Sequence, residues 1–350
     1  MKNSIRRRDF IKTTAAGGIG FGLTSKFISG DGNYNSQSKR IGIIGLDTSH
    51  STAFTKALND PAAGPEFGGY KVVAAYPKGS SDIRSSADRI PAYTEEVKKQ
   101  GVEIVNSIDE LLEKVDVVLL ETNDGRLHLE QALPVLKAGK RMFIDKPIAA
   151  SLSDTIAIFE VAKNYKVPVF SSSSLRYIQG AREIADGSIG KVNGANAYSP
   201  ATLEKTHPDL YWYGVHGVEI LFTVMGTGCK NVVRTFTDNT DVVTGVWGDN
   251  RVGTFRGIRS GKADYGGTVF GETGITVLGK YSGYNLLLVE IIRFFQSGLP
   301  PVSVEETTEI FAFMEAADES KRRVGALVAI EEVMLKAKEE ANIIVSKLKL

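Results

Sequence analysis

From residue 40 the chain alternates short apolar runs with longer stretches of helical periodicity. The runs "IGIIG" (41–45), "YKVVAAY" (70–76), "DVVLLE" (116–121), "RMFI" (141–144) and "VPVFSS" (167–172) are apolar or β-branched along their length. That is the pattern of strands buried on both faces of a sheet. Helices are expected between them: from about Ser51, from a capping box at Ser107 and Glu110, over "LHLEQALPVLKAGK" with Gly139 ending it, and over about 153–165. Strands alternating with helices of this length make a doubly wound parallel sheet covered on both sides. After about Ser174 the pattern changes. A helix is expected around 209–225, then "DVVTGVWGD" and "RVGTFRGIR" read as strands of an open antiparallel sheet, and helices follow at about 283–297, 304–319 and 323–347. The fold class is therefore α/β: a Rossmann-type domain over 39–174 and an α+β domain over 175–350.

Ligands of such sheets bind beyond the carboxyl ends of the strands, which places Asp47–His50, Tyr76–Lys78, Thr122–Asn123 and Lys146 at one edge. The first turn departs from the dinucleotide fingerprint Gly-x-Gly-x-x-Gly. Gly45 keeps the glycine of the tight turn, but Asp47 stands at the second position and His50 at the third. Asp47 suits an N-cap, which would turn its charge onto helix N–H groups and away from a diphosphate. Thr48 and Ser49 bring hydroxyl donors to a helix N-terminus that favours an anion. After the second strand, Lys78 with Ser80 and Ser81 suits the 2′-phosphate of NADP, so the expected cofactor is NAD or NADP, held by a rebuilt loop.

Charge changes the picture in one respect. The formal +1 conceals a basic start: residues 1–30 hold six Lys/Arg and one Asp, leaving 36 basic against 40 acidic residues elsewhere. A mildly acidic body without a basic stripe argues against nucleic acid as a partner. The single Cys229 excludes an internal disulfide, and histidines at 50, 128, 207 and 216 form no local metal motif, so no metal is expected. In residues 1–30, Arg7–Arg8 followed by Phe10, Ile11 and Lys12 and a glycine-rich apolar run resembles a twin-arginine export signal. The resemblance implies passage through the twin-arginine machinery to a periplasmic or other extracytoplasmic site. Residues 31–38 read as a polar linker.

Five separated pieces carry a further resemblance. They are "TNDGRLH" (122–128), "DKP" (145–147), "LRY" (175–177), "YGVHGVEIL" (213–221) and "FMEAADESKRRVG" (313–325). In this order they resemble the glucose–fructose oxidoreductase, inositol dehydrogenase and MocA family, whose members mostly move hydride between a sugar-like alcohol and NAD(P). The resemblance implies that Lys146 meets nicotinamide ribose and substrate hydroxyl, and that His216 is an acid/base at the carbon being oxidised. Asp145 replaces the usual Glu, and Trp212 stands where an Asp is common. Trp212 and Tyr213 are expected on the side of His216, able to stack on a sugar, with the Tyr213 hydroxyl assisting catalysis. Arg176 is expected to reach the cleft. Thr122 and Asn123 are expected to line the cofactor, and His128 and Arg126 to orient that loop, with His128 able to face the cofactor. Members of the family associate through the open sheet face, which implies a homo-oligomer.

The leading expectation is an exported NAD(P)-dependent oxidoreductase acting on a sugar, glycoside or cyclitol, with its cofactor held tightly. Alternatives are an NAD-dependent glycosidase or lyase working by transient oxidation, a lyase or racemase using Lys146 and His216 alone, and a non-catalytic carbohydrate-binding protein on the same scaffold.

Overall fold

The computed structural model describes residues 39–348. The export signal at 1–30 and the linker at 31–38 lie outside the described residues.

Six strands form the first sheet: β1 (Arg40–Ile44), β2 (Lys71–Tyr76), β3 (Glu103–Ile104), β4 (Val117–Leu120), β5 (Met142–Ile144) and β6 (Val169–Ser171). All pairings are parallel, in the order β3-β2-β1-β4-β5-β6 of the doubly wound nucleotide-binding fold. Strand periodicity divides the core in two. Ile41, Ile43, Val117 and Leu119 face one apolar cluster, while Ile44, Val118 and Leu120 face the other. The helices expected between the strands form, including the one capped by Ser107, whose Oγ accepts from Glu110 N–H.

Seven strands form the second sheet: β7 (Val192–Pro200), β8 (Cys229–Thr237), β9 (Thr240–Trp247), β10 (Val252–Ile258), β11 (Gly266–Gly271), β12 (Ile275–Leu278) and β13 (Val328–Ala329). Their order is β12-β11-β7-β10-β9-β8-β13. The expected antiparallel sheet is in fact mixed, because β7 and β10 run parallel at its centre. One face packs on the helices Val215–Met225 and Val304–Arg322. The other leaves Tyr198, Phe270, Ile275 and Val277 exposed, with Phe270 and Ile275 directly paired across β11 and β12.

Two expected helices differ. The stretch 209–225 breaks into Asp209–Trp212 and Val215–Met225, with Tyr213 and Gly214 between them. The helix expected from 323 begins only at Ile330, because Val324 and Gly325 turn left-handed and Val328–Ala329 joins β8. One helix of the second half, Asn285–Ser297, returns to the first sheet. Its Leu287, Ile291 and Phe294 join the cluster of Ile41 and Phe143, and the rings of Phe170 and Phe294 lie 4.8 Å apart. That return brings the loop before this helix over the carboxyl edge of the first sheet.

Candidate active site

The edge is built on Gly45. It adopts φ +88°, and a Cβ there would sit 2.5 Å from Thr122 N, so only glycine turns the chain beside β4. Asp47 corrects its expected role. The N-cap of the helix Ser49–Asn59 is Thr48, with no side-chain bond to the helix. The buried Asp47 carboxylate instead accepts from Ser80 N (2.8 Å), Ser80 Oγ (2.9 Å) and Asn123 N (2.9 Å). It ties the loops after β1, β2 and β4 together, and Gly79 carries no Cβ because one would fall 2.3 Å from Asp47 Oδ2. Ser80 is therefore committed to Asp47 and not to a 2′-phosphate; Lys78 is exposed at the end of β2.

His50 fills the third glycine position with a partner. Its Nδ1 lies 2.8 Å from Oδ2 of the buried Asp145, and its ring meets Tyr284 edge-on at 4.5 Å. Behind them lies Glu121, whose two oxygens have no hydrogen-bond partner. Burial, reinforced by the Asp145 charge, pushes the Glu121 carboxyl well above the usual range, so it is protonated. Burial would raise Asp145 too, but the hydrogen bond from His50 and the Lys146 charge work against that and hold it below the ordinary range. Glu121 was not singled out in the sequence, although an acid closing the apolar run "VVLLE" was a visible signal.

A cavity of about 280 Å³ opens between the sheet edge and the second half of the chain. Thr48, Ser49, His50, Asn123, Lys146, Trp212, Tyr213 and His216 line it, so eight of the expected residues share one wall. Lys146 is only 7% exposed, and among the described residues its amine makes no hydrogen bond or ion pair. His216 Nδ1 bonds Ser173 Oγ at 2.7 Å. Burial, together with the nearby charges of Lys146 and His50, holds its imidazole well below the ordinary histidine range, and the ring is neutral. Tyr213 Oη pairs with Tyr265 Oη at 3.1 Å, and Tyr281 Oη with Ser174 Oγ at 2.9 Å. Burial raises the phenols of Tyr265 and Tyr281, keeping them protonated donors. Tyr265, Tyr281, Tyr284, Ser85 and Arg89 also line it, beside Ser174 and Leu175, and were missed. Ser85 sits in the one-turn helix Arg84–Ala87 and the others in loops or at a helix start, with no periodic pattern to mark them. No carboxylate belongs to the lining, which carries the cations Lys146 and Arg89.

Other expectations fail on contacts. Arg176 does not reach the cavity: it is clamped between Glu219 at 3.0 Å and Glu306 at 2.6 Å. His128 is fully buried between the carbonyls of Thr122 and Ile148 and does not face the cavity. Thr122 is buried against Gly45 and is absent from the lining. Arg126 does brace its loop, through Asp124 and Asp82.

These residues fit a nicotinamide cofactor at its phosphate and nicotinamide ends. The first turn of the helix Ser49–Asn59 lacks a side-chain cap, leaving N–H groups for an anion, and Asp47 has its charge turned onto protein donors. Lys146 is a buried amine with no protein partner.

Comparison with known proteins agrees with this geometry. Residues 39–173 match the Gfo/Idh/MocA model, described as an oxidoreductase family with NAD-binding Rossmann fold. A 1,5-anhydro-D-fructose reductase of Ensifer adhaerens is 32% identical over 125 residues, 34% of this chain and 36% of that protein. An uncharacterized oxidoreductase of Streptococcus pneumoniae serotype 4 is 28% identical over 166 residues, 42% of this chain and 44% of that one. The match thus spans less than half the length of either curated relative. The scyllo-inositol dehydrogenase of Lactobacillus casei, solved with NAD(H) and scyllo-inositol, superposes with TM-score 0.67 at 15% identity, over 84% of this chain and 100% of that one, a likeness of fold. Residues 39–173 accordingly match an NAD-binding Rossmann domain of that oxidoreductase family, and the rest of the chain shares the fold of the solved dehydrogenase.

Proposed function

We propose that the protein is an exported NAD(P)-dependent oxidoreductase that moves hydride between a hydroxyl-bearing carbon of a sugar, glycoside or cyclitol and a tightly held cofactor. One observation carries the reading: an unpaired buried amine, Lys146, and a neutral imidazole, His216, line the same cavity. When bound, the nicotinamide supplies the hydride acceptor or donor. Lys146 holds the substrate oxygen and settles charge on it, His216 exchanges the hydroxyl proton, and the Tyr213–Tyr265 pair orients neighbouring hydroxyls. Trp212 gives a sugar an apolar face to stack on. The helix N-terminus at Thr48–Ser49, with Arg89 on the same wall, takes the phosphates. A reductase of a keto sugar and an inositol dehydrogenase among the similar proteins support a carbohydrate-type ligand.

Export rests on the twin-arginine pattern of residues 7–12, which suits a protein that folds around its cofactor before transport. The open face carrying Tyr198, Phe270, Ile275 and Val277 is the proposed oligomer contact.

A second reading, a carbohydrate-binding protein without turnover, draws on the Asp47 tie, which draws the loops after β1, β2 and β4 together where the dinucleotide phosphates belong. Mass spectrometry of ligand released from freshly purified, denatured protein separates the two. The oxidoreductase reading expects NAD or NADP, and hydride transfer to a keto sugar that Lys146→Ala abolishes. Protein that carries no nicotinamide, is not stabilised by NAD or NADP, and yet binds sugar would establish the second reading.

A further inference from the structure

Hydride transfer at an alcohol needs one proton managed, and Lys146 and His216 suffice for that. The cavity holds a third acid–base group. His50 forms part of its wall, with Nδ1 on Asp145. An ionised carboxylate only accepts hydrogen bonds, so Nδ1 is the donor and Nε2 is the ring nitrogen left to exchange a proton with a bound molecule. Among the described residues Nε2 has no hydrogen-bond partner. The ring is fixed by Tyr284 edge-on and by a stack on Phe54 at 5.8 Å. The titratable groups facing it are Glu121 and Asp145 at the ends of β4 and β5, Lys146 beside them, His216 across the cavity and Tyr284 before the returning helix. A proton arriving on Nε2 meets a carboxylate already bonded to the other nitrogen.

We propose that His50 and Asp145 form a second acid–base dyad, in which His50 Nε2 removes a proton from the carbon beside the oxidised carbon of a keto sugar bound in this cavity. The proposal rests on the carbohydrate reading above. The C–H bond breaks, its electron pair moves into the adjoining carbonyl to give an enolate whose oxygen carries the charge beside Lys146, and the proton goes to Nε2. Return of a proton to the same carbon restores the ketone. Where the next carbon bears a leaving group, the enolate pair instead forms a C=C bond as that C–O bond breaks and the leaving oxygen takes a proton. The site is thereby equipped for exchange, epimerisation or elimination next to a carbonyl, in addition to hydride transfer.

The test uses the full chain with 1,5-anhydro-D-fructose in deuterated buffer, following loss of the C–H signals beside the carbonyl by proton NMR. Wild type is expected to accelerate exchange over buffer, and folded His50→Gln to lower the rate by at least about 100-fold. Asp145→Asn should shift the pH profile of exchange. Should His50→Gln not fold, His50→Ala assayed with added imidazole provides the second arm, and rescue is expected. Three results overturn the dyad: wild-type exchange no faster than buffer, an unchanged rate in folded His50→Gln, or a stoichiometric divalent metal found by elemental analysis to depend on His50, Glu121 and Asp145. The third result counts because these side chains bring ligand atoms within 4.8 Å of one another and a metal there would occupy Nδ1. Exchange needs no hydride. Protein that exchanges without transferring hydride keeps the dyad and loses the oxidoreductase reading; the converse result does the reverse.

Discussion

Changing Asp47 to glycine would restore the second glycine of the dinucleotide fingerprint, and the structure implies that the repair is harmful. The carboxylate is buried and accepts three hydrogen bonds at 2.8–2.9 Å from two other loops. Bonds to a charged acceptor contribute about 1.5–3 kcal/mol each, and each backbone N–H left buried without a partner costs about 1–3 kcal/mol. The desolvation recovered when the carboxylate is deleted offsets much of that sum, leaving a net loss of about 2–5 kcal/mol. At about 2–4 °C per kcal/mol, Asp47→Gly and Asp47→Ala should melt about 4–20 °C below wild type. Because the charge faces Ser80 and Asn123, neither change should tighten NAD or NADP binding. Thermal denaturation with and without each nucleotide, beside calorimetric titration, measures both quantities. If Asp47→Gly keeps the wild-type melting temperature and binds nucleotide about tenfold tighter or more, a gain of about 1.4 kcal/mol, the carboxylate is a charge at the phosphate and the tie is incidental.

Gly45→Ala should lower stability by more than about 3 kcal/mol, since its φ of +88° and the 2.5 Å approach to Thr122 N compound each other; a urea midpoint close to wild type would show that the turn can relax. Arg176→Met strands Glu219 and Glu306 and should cost about 3–5 kcal/mol. Intact stability with weakened sugar binding would return Arg176 to the ligand. His216 should remain neutral in the folded protein from pH 8 to pH 5.5 by ¹⁵N NMR, and a midpoint near pH 6.5 would contradict its burial. Its folded pKa is depressed, so its contribution is present above about pH 6.5 and is lost on acidification as the unfolded chain takes up the proton, at up to about 1.4 kcal/mol per pH unit. Wild type should therefore lose stability relative to His216→Gln between pH 7 and pH 5 in paired urea titrations.

The first sheet was legible because strands buried on both faces leave uninterrupted apolar runs, and because Gly45 marks a turn that no other residue makes. The second sheet was legible only as strands. Nothing local in "RVGTFRGIR" states that β10 pairs parallel with β7 and antiparallel with β9. The break at Tyr213–Gly214 was hidden because the residues on both sides have helical spacing; there a Cβ on Gly214 would crowd the Leu210 carbonyl at 3.0 Å. Charged groups were the least legible. Arg176 answers to Glu219 and Glu306, 43 and 130 positions away, and Asp47 to Ser80 and Asn123, 33 and 76 positions away. Lys146 and His216 were found because their neighbours in the chain form recognisable pieces, which the tyrosines at 265, 281 and 284 lack.

The departures from the fingerprint are coupled, and the coupling bears on whether the scaffold still works. Asp47 is matched by Gly79, which clears space for its carboxylate, and by Ser80 and Asn123, which bond it. His50 is matched by Asp145, one methylene shorter than the glutamate common in the family, and by Tyr284 from the returning helix's loop. A binding loop that had merely lost its function would be expected to carry unmatched changes, each costing stability. Here the mismatched groups are of another kind. Glu121 is buried without a partner, and Lys146 is a buried amine with none. Glu121 does not contribute to stability as placed, and an apolar side chain there would fold at less cost; Lys146 makes no direct bond and only offsets the buried Asp145 charge. Groups kept at such a cost beside a cavity are intelligible as working parts of a site, which favours turnover over passive sugar binding. Lys146→Met then separates the two: the folded variant should lose hydride transfer while still binding sugar, and a variant that remains fully active would remove the argument.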